Sequence, residues 1–171
     1  MMKYSGLILN DTAAAPGLCV SFFTQGCPHR CKGCHNPETW DFNGGKEFTA
    51  QVLDQIISGL TAQGIHRNLC IMGGEPLCDE NAFLTLLVIK EVKEKVPGAK
   101  IYIWSGYTYE ELQRKSNNIV QILDLADYLL DGPYIESLRD ISLKWVGSKN
   151  QRLIDVKETL KQGQIIQYKI N

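Results

Sequence analysis

The chain has 171 residues, a length that predicts one domain with a core large enough to fold without cross-links. Its formal net charge is −1, so it lacks the basic excess that is typical of nucleic-acid binding. No apolar run approaches the roughly 18 residues needed to cross a bilayer, and the first residues lack the apolar core of a signal peptide. We therefore expect a cytoplasmic protein, whose six cysteines are ligands, catalytic groups or buried apolar side chains rather than disulfides.

Strand and helix patterns alternate along the chain. In chain order the patterns predict a strand over 17–26, a helix over 49–64, a strand over 68–76, a helix over 80–96, a strand over 100–107, helices over 108–116 and 118–126, a strand over 127–134, a short strand over 143–148, a helix over 152–163 and a last strand over 164–170. This alternation predicts an α/β protein with about five or six mainly parallel strands. No repeat or linker divides the chain, so residues 1–171 are expected to form one domain.

Polar or turn-forming residues follow four of these strands at the point where each strand ends. They are a cysteine-rich loop after residue 24, Gly-Gly-Glu-Pro after 72, Ser-Gly-Tyr after 104 and Asp-Gly-Pro-Tyr after 130. In α/β sheets, ligands bind at the carboxyl ends of the parallel strands. The sequence therefore predicts one site built from these four segments.

Cys27, Cys31 and Cys34 form a C-x3-C-x2-C pattern directly after the first predicted strand. A structural zinc site needs four ligands, which His29 or His35 would have to complete. A catalytic thiol would need only one of the three cysteines. A 4Fe–4S cluster held by three thiolates keeps one iron open for a small molecule. The spacing leaves the zinc and cluster interpretations open.

The C-x3-C-x2-C spacing resembles that of the radical S-adenosylmethionine enzymes. In that family the open iron binds the amino and carboxylate groups of S-adenosylmethionine, and an electron from the cluster cleaves the sulfonium to give a 5′-deoxyadenosyl radical. The segment Gly73-Gly74-Glu75-Pro76, roughly 40 residues further on, is similar to the family segment that contacts the methionine amino group. The resemblance implies a partial, laterally open βα barrel.

A narrower resemblance comes from the stretch CHNPETWDFNGG, residues 34–45, which the general radical motif does not require. Together with residues 16–33 and NQRLIDV at 150–156, it resembles the activating proteins of anaerobic ribonucleoside-triphosphate reductases. That resemblance implies an activase that removes a hydrogen from a glycine of the large reductase subunit to leave a glycyl radical. It also implies a low-potential electron donor such as flavodoxin, and neither nucleic-acid nor membrane binding.

The same resemblance assigns the site residues. Cys27, Cys31 and Cys34 would hold the cluster and serve catalysis, and the predicted cofactor-binding residues are Gly33, Cys34, His35, Gly73, Gly74, Glu75, Pro76, Ser105 and Asp131. Many family members carry an aromatic residue where this chain has Gly33, so His35 and Trp40 are the candidates to contact adenine. Cys78 is expected to be a thiol at a helix start. Two alternative functions are a radical enzyme acting on another glycyl-radical enzyme or a small molecule, and a zinc-stabilised binding module.

Overall fold

The computed structural model describes residues 1–168, and within them a single sheet contains eight strands in the spatial order β3-β1-β2-β4-β5-β6-β7-β8. In chain order the strands are β1 (Lys3–Asp11), β2 (Cys19–Thr24), β3 (Lys46–Glu47), β4 (Asn68–Gly73), β5 (Ile101–Trp104), β6 (Tyr128–Asp131), β7 (Arg152–Asp155) and β8 (Gln167–Tyr168). The central strands β2, β4, β5 and β6 are parallel, whereas β1 and β3 on one side and β7 and β8 on the other are antiparallel. The predicted α/β class is confirmed.

Five α-helices connect or follow the strands in residues 1–168. They are α1 (Ala50–Thr61), α2 (Asp79–Lys95), α3 (Tyr109–Leu112), α4 (Asn117–Leu125) and α5 (Val156–Gln162). Thr108 caps α3 by accepting a hydrogen bond from the Glu111 N–H, and Asp155 caps α5 in the same way through the Glu158 N–H. No helix in residues 1–168 combines the length and apolar composition that crossing a bilayer requires.

Alternate residues of the parallel strands pack into two different apolar clusters. Val20, Phe22 and Leu129 belong to the main core, together with apolar side chains of all five helices. Cys19 and Leu130 belong to a smaller cluster on the opposite face, which contains loop and strand residues. Because successive side chains of a strand point to opposite faces, the helices cover one face of the sheet and leave the other face for the cleft described below.

The predicted elements differ from the structure in several places. The first strand, β1, was not predicted, since its half-exposed residues alternate poorly and include Gly6. Residues 143–147 form bends instead of the predicted strand, and Ser148 forms an isolated bridge with Arg139. The helix predicted over 152–163 begins as strand β7, because Leu153 and Ile154 pair with β6 before α5 starts.

The sheet thus has eight strands rather than five or six, of which four are mutually parallel. The additional strands lie at its two antiparallel edges. The last predicted strand, 164–170, is represented by the two residues of β8, and its final two residues lie outside the described part of the chain.

Candidate active site

A cleft of about 780 Å³ lies at the carboxyl ends of the four parallel strands. Residues from all four predicted segments line it, among them Cys27, Cys31, Cys34, Gly73, Glu75, Ser105, Gly132 and Tyr134. The loop between β6 and β7 contributes a further wall that includes Ile141 and Trp145. The structure therefore brings together segments that are far apart in sequence, as parallel strand ends do.

The cysteine loop, defined here as residues 26–40, begins where β2 ends and is closed at its base by backbone hydrogen bonds. The Gly26 N–H donates to the Thr39 carbonyl at 2.8 Å, and the Cys27 N–H donates to the Trp40 carbonyl at 3.2 Å. Gly26 has φ +97°, and the ring of Phe42 occupies the place that a Cβ would take. A side chain at residue 26 would therefore be both strained and blocked.

The three cysteines of this loop are partly buried, are free of disulfides and line the same cleft. Burial raises the pKa of the Cys27 and Cys31 thiols above the ordinary value. The Asn36 N–H donates to the Cys34 sulfur at 3.4 Å, and the Cys34 N–H donates to the Cys31 carbonyl at 3.1 Å. The loop thus presents three cysteine sulfurs, none of them in a disulfide, to the same cleft.

In the described part of the chain, no three His, Cys, Asp or Glu side chains gather closely enough to hold a single metal ion. A structural zinc site needs four ligands at about 2.0–2.3 Å from one ion. In an iron–sulfur cluster each thiolate binds a different iron, so the sulfurs need not meet at one point. Three free thiols on one loop fit such a cluster better than a mononuclear zinc site.

The Gly-Gly-Glu-Pro segment packs directly against the start of the cysteine loop. The Glu75 N–H donates to the Gly26 carbonyl at 2.8 Å, and the Gly74 N–H donates to the Thr24 carbonyl at 2.9 Å. Gly73 has φ +108°, and a Cβ on Gly74 would collide with the Gly26 backbone. The two glycines therefore allow the ends of β2 and β4 to approach each other.

Glu75 lines the cleft, but the protein itself occupies both of its carboxylate oxygens. Its side chain is only 1% exposed. One oxygen accepts hydrogen bonds from the Leu77 N–H and the Ser105 hydroxyl, both at 2.9 Å. The other accepts from the Gly106 N–H at 2.7 Å and from His29 Nε2 at 2.8 Å. The carboxylate thus joins the ends of β4 and β5 to the cysteine loop.

Gly33 and His35 both lie on the exposed rim of the cleft. Gly33 has φ +76°, and a Cβ added there would lie 2.7 Å from a Glu136 carboxylate oxygen. Lys32 also forms an ion pair with Glu136 at 3.1 Å. The loop after β6 therefore occupies the space in which an aromatic residue at position 33 would stand. Trp40, the other candidate for an adenine contact, is half-buried in the cleft wall.

Two of the predicted cofactor-binding residues, Pro76 and Asp131, do not line the cleft. The Pro76 carbonyl accepts a hydrogen bond from the Thr85 hydroxyl at 2.9 Å. The Asp131 carboxylate is fully buried, is paired with Arg152 and accepts a hydrogen bond from the Tyr109 N–H. The structure does not bring these two residues to the site.

Residues outside the predicted set also belong to the site. His29, which the sequence offered only as a possible fourth zinc ligand, contacts Glu75. Trp145 lines the cleft with φ +66°, a strained conformation for a bulky residue, and its carbonyl accepts a hydrogen bond from Trp104 Nε1. No sequence signal marked the contact between these tryptophans, because it depends on the β6–β7 loop folding back over the sheet.

The other three cysteines lie in the interior. Cys78 is at the N-terminus of α2, where its thiol donates to the Glu75 carbonyl at 3.2 Å. Burial raises its pKa to about 12, and the thiol does not line the cleft. Cys19 and Cys70 are buried in the smaller apolar cluster, as expected for core cysteines.

Residues 13–154 match the family described as a 4Fe-4S single cluster domain. The chain therefore belongs to a class of proteins that carry one iron–sulfur cluster. The curated relatives narrow the class, because each is named anaerobic ribonucleoside-triphosphate reductase-activating protein.

The chain is 36% identical to the proteins of Salmonella typhimurium LT2 and Escherichia coli K12, over 88% of its own length and 96% of theirs. It is 33% identical to the phage T4 protein, over 89% of its own length and 93% of the phage chain. This chain belongs to the family of anaerobic ribonucleoside-triphosphate reductase-activating proteins, as its motifs predicted.

Proposed function

We propose that this protein is a radical S-adenosylmethionine activase for an anaerobic ribonucleoside-triphosphate reductase. The observation that carries the proposal is the cleft at the carboxyl edge of the sheet, where three free cysteines of one loop face the Gly-Gly-Glu-Pro segment. The names of the relatives support the choice of the reductase as target. The cluster, when bound with S-adenosylmethionine, supplies the electron that generates the 5′-deoxyadenosyl radical, which takes a hydrogen from a glycine of the reductase.

Cys27, Cys31 and Cys34 would hold the 4Fe–4S cluster. Each thiol must lose its proton to bind iron. Because burial raises the pKa of Cys27 and Cys31, both are thiols near neutral pH in the metal-free protein, and cluster insertion releases their protons. Partial burial of these cysteines would also limit the access of water to a cluster held there.

The Gly-Gly-Glu-Pro segment and Ser105 would form the wall that holds S-adenosylmethionine. Gly73 and Gly74 place backbone rather than side chains beside the cysteine loop. Glu75 brings a buried negative charge to this wall, and a ligand ammonium or sulfonium in the cleft would be attracted to it. Because Glu75 is already fully hydrogen-bonded, its main task is to fix the geometry of the wall.

The sheet supports a partial, laterally open barrel as its functional form. Helices cover one face, the cleft lies on the other side, and the antiparallel strands β3 and β8 are the two edges of the sheet order. An open side would let a glycine-bearing segment of a large protein substrate reach the cleft. A small-molecule substrate would not need that access.

An electron donor of low potential is required as well. Iron–sulfur potentials span about −700 to +450 mV, and reduction of a sulfonium requires the negative end of that range. A reduced flavodoxin would satisfy this requirement in the cytoplasm, where we propose that the protein works.

The decisive experiment is anaerobic reconstitution followed by reduction with dithionite in the presence of S-adenosylmethionine. We expect release of 5′-deoxyadenosine, and loss of both this product and the visible cluster absorption in Cys31→Ala. Cys78→Ala is the matched control and should retain both, because this thiol is buried and does not line the cleft. Cleavage that survives in Cys31→Ala would contradict the proposal.

Two further measurements separate the alternatives. Incubation with the large reductase subunit should produce a glycyl-radical doublet in the electron paramagnetic resonance spectrum, whereas an enzyme for small molecules would give none. Metal analysis after anaerobic purification should find iron and sulfide. One zinc per chain without iron would instead indicate a zinc-stabilised binding module.

A further inference from the structure

A single side chain connects the cysteine loop to the Gly-Gly-Glu-Pro segment. His29 lies between Cys27 and Cys31, and its Nε2 donates a hydrogen bond to a Glu75 carboxylate oxygen at 2.8 Å. Among the described residues, no other side chain of loop 26–40 bonds to residues 73–76. Besides the backbone bond from the Glu75 N–H to the Gly26 carbonyl, the bond from His29 is therefore the one side-chain hydrogen bond that directly joins the two motifs in the described residues.

The acceptor in this bond is held rigidly. The Leu77 N–H, the Gly106 N–H and the Ser105 hydroxyl all donate to Glu75 from the ends of β4 and β5. These donors fix both carboxylate oxygens independently of the cysteine loop. Glu75 is thus a rigidly held hydrogen-bond acceptor for His29.

The His29 ring is also confined by its neighbours. It contacts the Tyr107 ring in an edge-on arrangement with 4.4 Å between centroids, and only 18% of the side chain is exposed. A Cβ on Gly106 would lie 2.6 Å from the His29 ring, so only glycine leaves room for it. The Lys115 ammonium lies 4.4 Å from the centroid of Tyr107 and adds a cation–π contact to the same group.

His29 also affects the sulfur of Cys27 through the backbone. The backbone N–H groups of His29 and Arg30 lie near the Cys27 sulfur and favour its thiolate form. Arg30 has φ +48°, an uncommon conformation that the surrounding contacts must maintain. When the imidazole is held, the backbone of residues 29 and 30 is held beside the sulfur, and N–H groups near the sulfurs of a cluster tune both its spectrum and its potential.

The remaining contacts of the loop cannot replace this one. The Glu75 N–H also donates to the Gly26 carbonyl, but this bond, like the bonds of Gly26 and Cys27 to Thr39 and Trp40, holds only the base of the loop. The Lys32–Glu136 ion pair lies in solvent, with the Lys32 side chain 90% exposed, and such pairs contribute little.

We propose that His29 is a positioning residue, which anchors the cysteine loop to Glu75 and thereby sets the positions of the Cys27 and Cys31 sulfurs. The proposal rests on the proposed function only where it concerns the cluster and S-adenosylmethionine. The anchoring itself belongs to the metal-free protein and can be measured there.

Three variants test the anchor. His29→Leu removes the donor at similar size, and His29→Gln keeps an amide N–H that can reach the same carboxylate. His66→Leu is the matched control, because His66 is an exposed histidine that donates to the Gly98 carbonyl.

The first measurement uses the reduced, metal-free protein. Each variant is treated with iodoacetamide at one fixed pH, and the rate of modification of each cysteine is followed by mass spectrometry. We expect His29→Leu to accelerate modification of Cys27 and Cys31 roughly tenfold, as loss of a hydrogen bond to a buried charge predicts. His29→Gln and His66→Leu should stay within about twofold of the parent protein.

Two outcomes would overturn the proposal. Unchanged rates at Cys27 and Cys31 in His29→Leu would show that the bond does not hold the loop. Equal acceleration at Cys70, which lies in the core, would show that His29 stabilises the whole fold instead.

The second measurement uses the reconstituted protein. His29→Leu should alter the electron paramagnetic resonance spectrum of the reduced cluster and raise the KM for S-adenosylmethionine more than it lowers kcat, and His29→Gln should restore both. A spectrum identical to that of the parent protein would contradict the proposal. If the parent protein took up no iron, the proposed function would fail, while the alkylation result would still decide whether His29 anchors the loop.

Discussion

Glu75 and Asp131 are two buried carboxylates near the ends of parallel strands, and the sequence assigned both to the cofactor. Glu75 is 1% exposed and Asp131 is fully buried. Glu75 lines the cleft and is held by uncharged donors together with His29. Asp131 lies away from the cleft and is paired with the Arg152 guanidinium. Two acids that both lie near a strand end therefore have different roles: Glu75 forms part of the cleft, and Asp131 forms an ion pair outside it.

Side-chain alternation explains the difference. Within β6, Leu129 packs into the helix-covered core and Leu130 into the cluster on the opposite face. Asp131 follows with the same orientation as Leu129, which places it on the helix side of the sheet. Glu75 lies beyond Gly73, the last residue of β4, so the turn rather than the pleat sets its direction. For a polar residue that is still part of a strand, the face of the sheet on which its side chain lies has to be determined before the residue is assigned to a site.

Among the substitutions considered, replacement of Glu75 should have the largest effect on stability and on activity. Glu75→Leu leaves the buried N–H groups of Leu77 and Gly106 without their acceptor, at a cost of about 1–3 kcal/mol each in unfolding free energy. We also expect loss of S-adenosylmethionine cleavage, because the wall of the cleft loses its fixed geometry. Chemical denaturation and the 5′-deoxyadenosine assay measure the two effects, and a variant with full activity would contradict the assignment.

Asp131→Asn should destabilise the protein without changing the site. Removal of this buried charge leaves Arg152 with Glu110 as its carboxylate partner, at a cost of about 3 kcal/mol. In samples that remain folded, the KM for S-adenosylmethionine should stay within about twofold of the parent value, since Asp131 does not line the cleft. A large rise in KM with unchanged stability would reverse the roles of the two acids.

Gly33→Ala changes the rim of the cleft without altering any charge. The added methyl group meets Glu136 and the residue keeps φ +76°, so we expect a loss of about 1–2 kcal/mol in unfolding free energy. Glu136→Ala in the same chain should recover only the part that is due to the contact. Thermal unfolding of the single and double variants separates the two contributions, and full recovery would show that the backbone is not strained.

The smallest expected effect is a pH dependence of stability that is caused by Glu110, which shares Arg152 with Asp131. A hydrogen bond from Arg152 holds the pKa of Glu110 below its usual value. The resulting stability is present above the pKa of the unfolded chain and is lost as the pH falls through the lowered pKa of the folded protein. Glu110→Gln should therefore be less stable than the parent at pH 7 by at most about 1 kcal/mol, because Glu110 is half-exposed.

Unfolding curves collected between about pH 7 and pH 3 test this dependence. The difference between the parent protein and Glu110→Gln should shrink toward the acid end of the range. A difference that stays constant with pH would show that ionised Glu110 does not contribute.

The features that could be predicted from the sequence are those that depend on residues close together in the chain. The three cysteines and the two glycines of Gly-Gly-Glu-Pro are recognisable because their spacing or flexibility is required by the chemistry and by the close approach of β2 and β4. The structural reason for Gly33 was not predictable, since Glu136 comes from a loop roughly 100 residues later. The role of His29 was missed for the same reason, because it depends on where Glu75 lies in space.

The anchoring of the cysteine loop has a consequence for synthesis of the chain. Cys34 leaves the ribosome roughly 70 residues before Gly106, whose N–H helps to fix Glu75. At about 5–20 residues per second, synthesis of these residues takes on the order of 4–14 s, and during this time the sheet cannot yet hold the loop. During that interval Glu75 lacks the donors from Ser105 and Gly106, so the anchored geometry of the cysteine loop has to follow completion of the β5 end of the sheet.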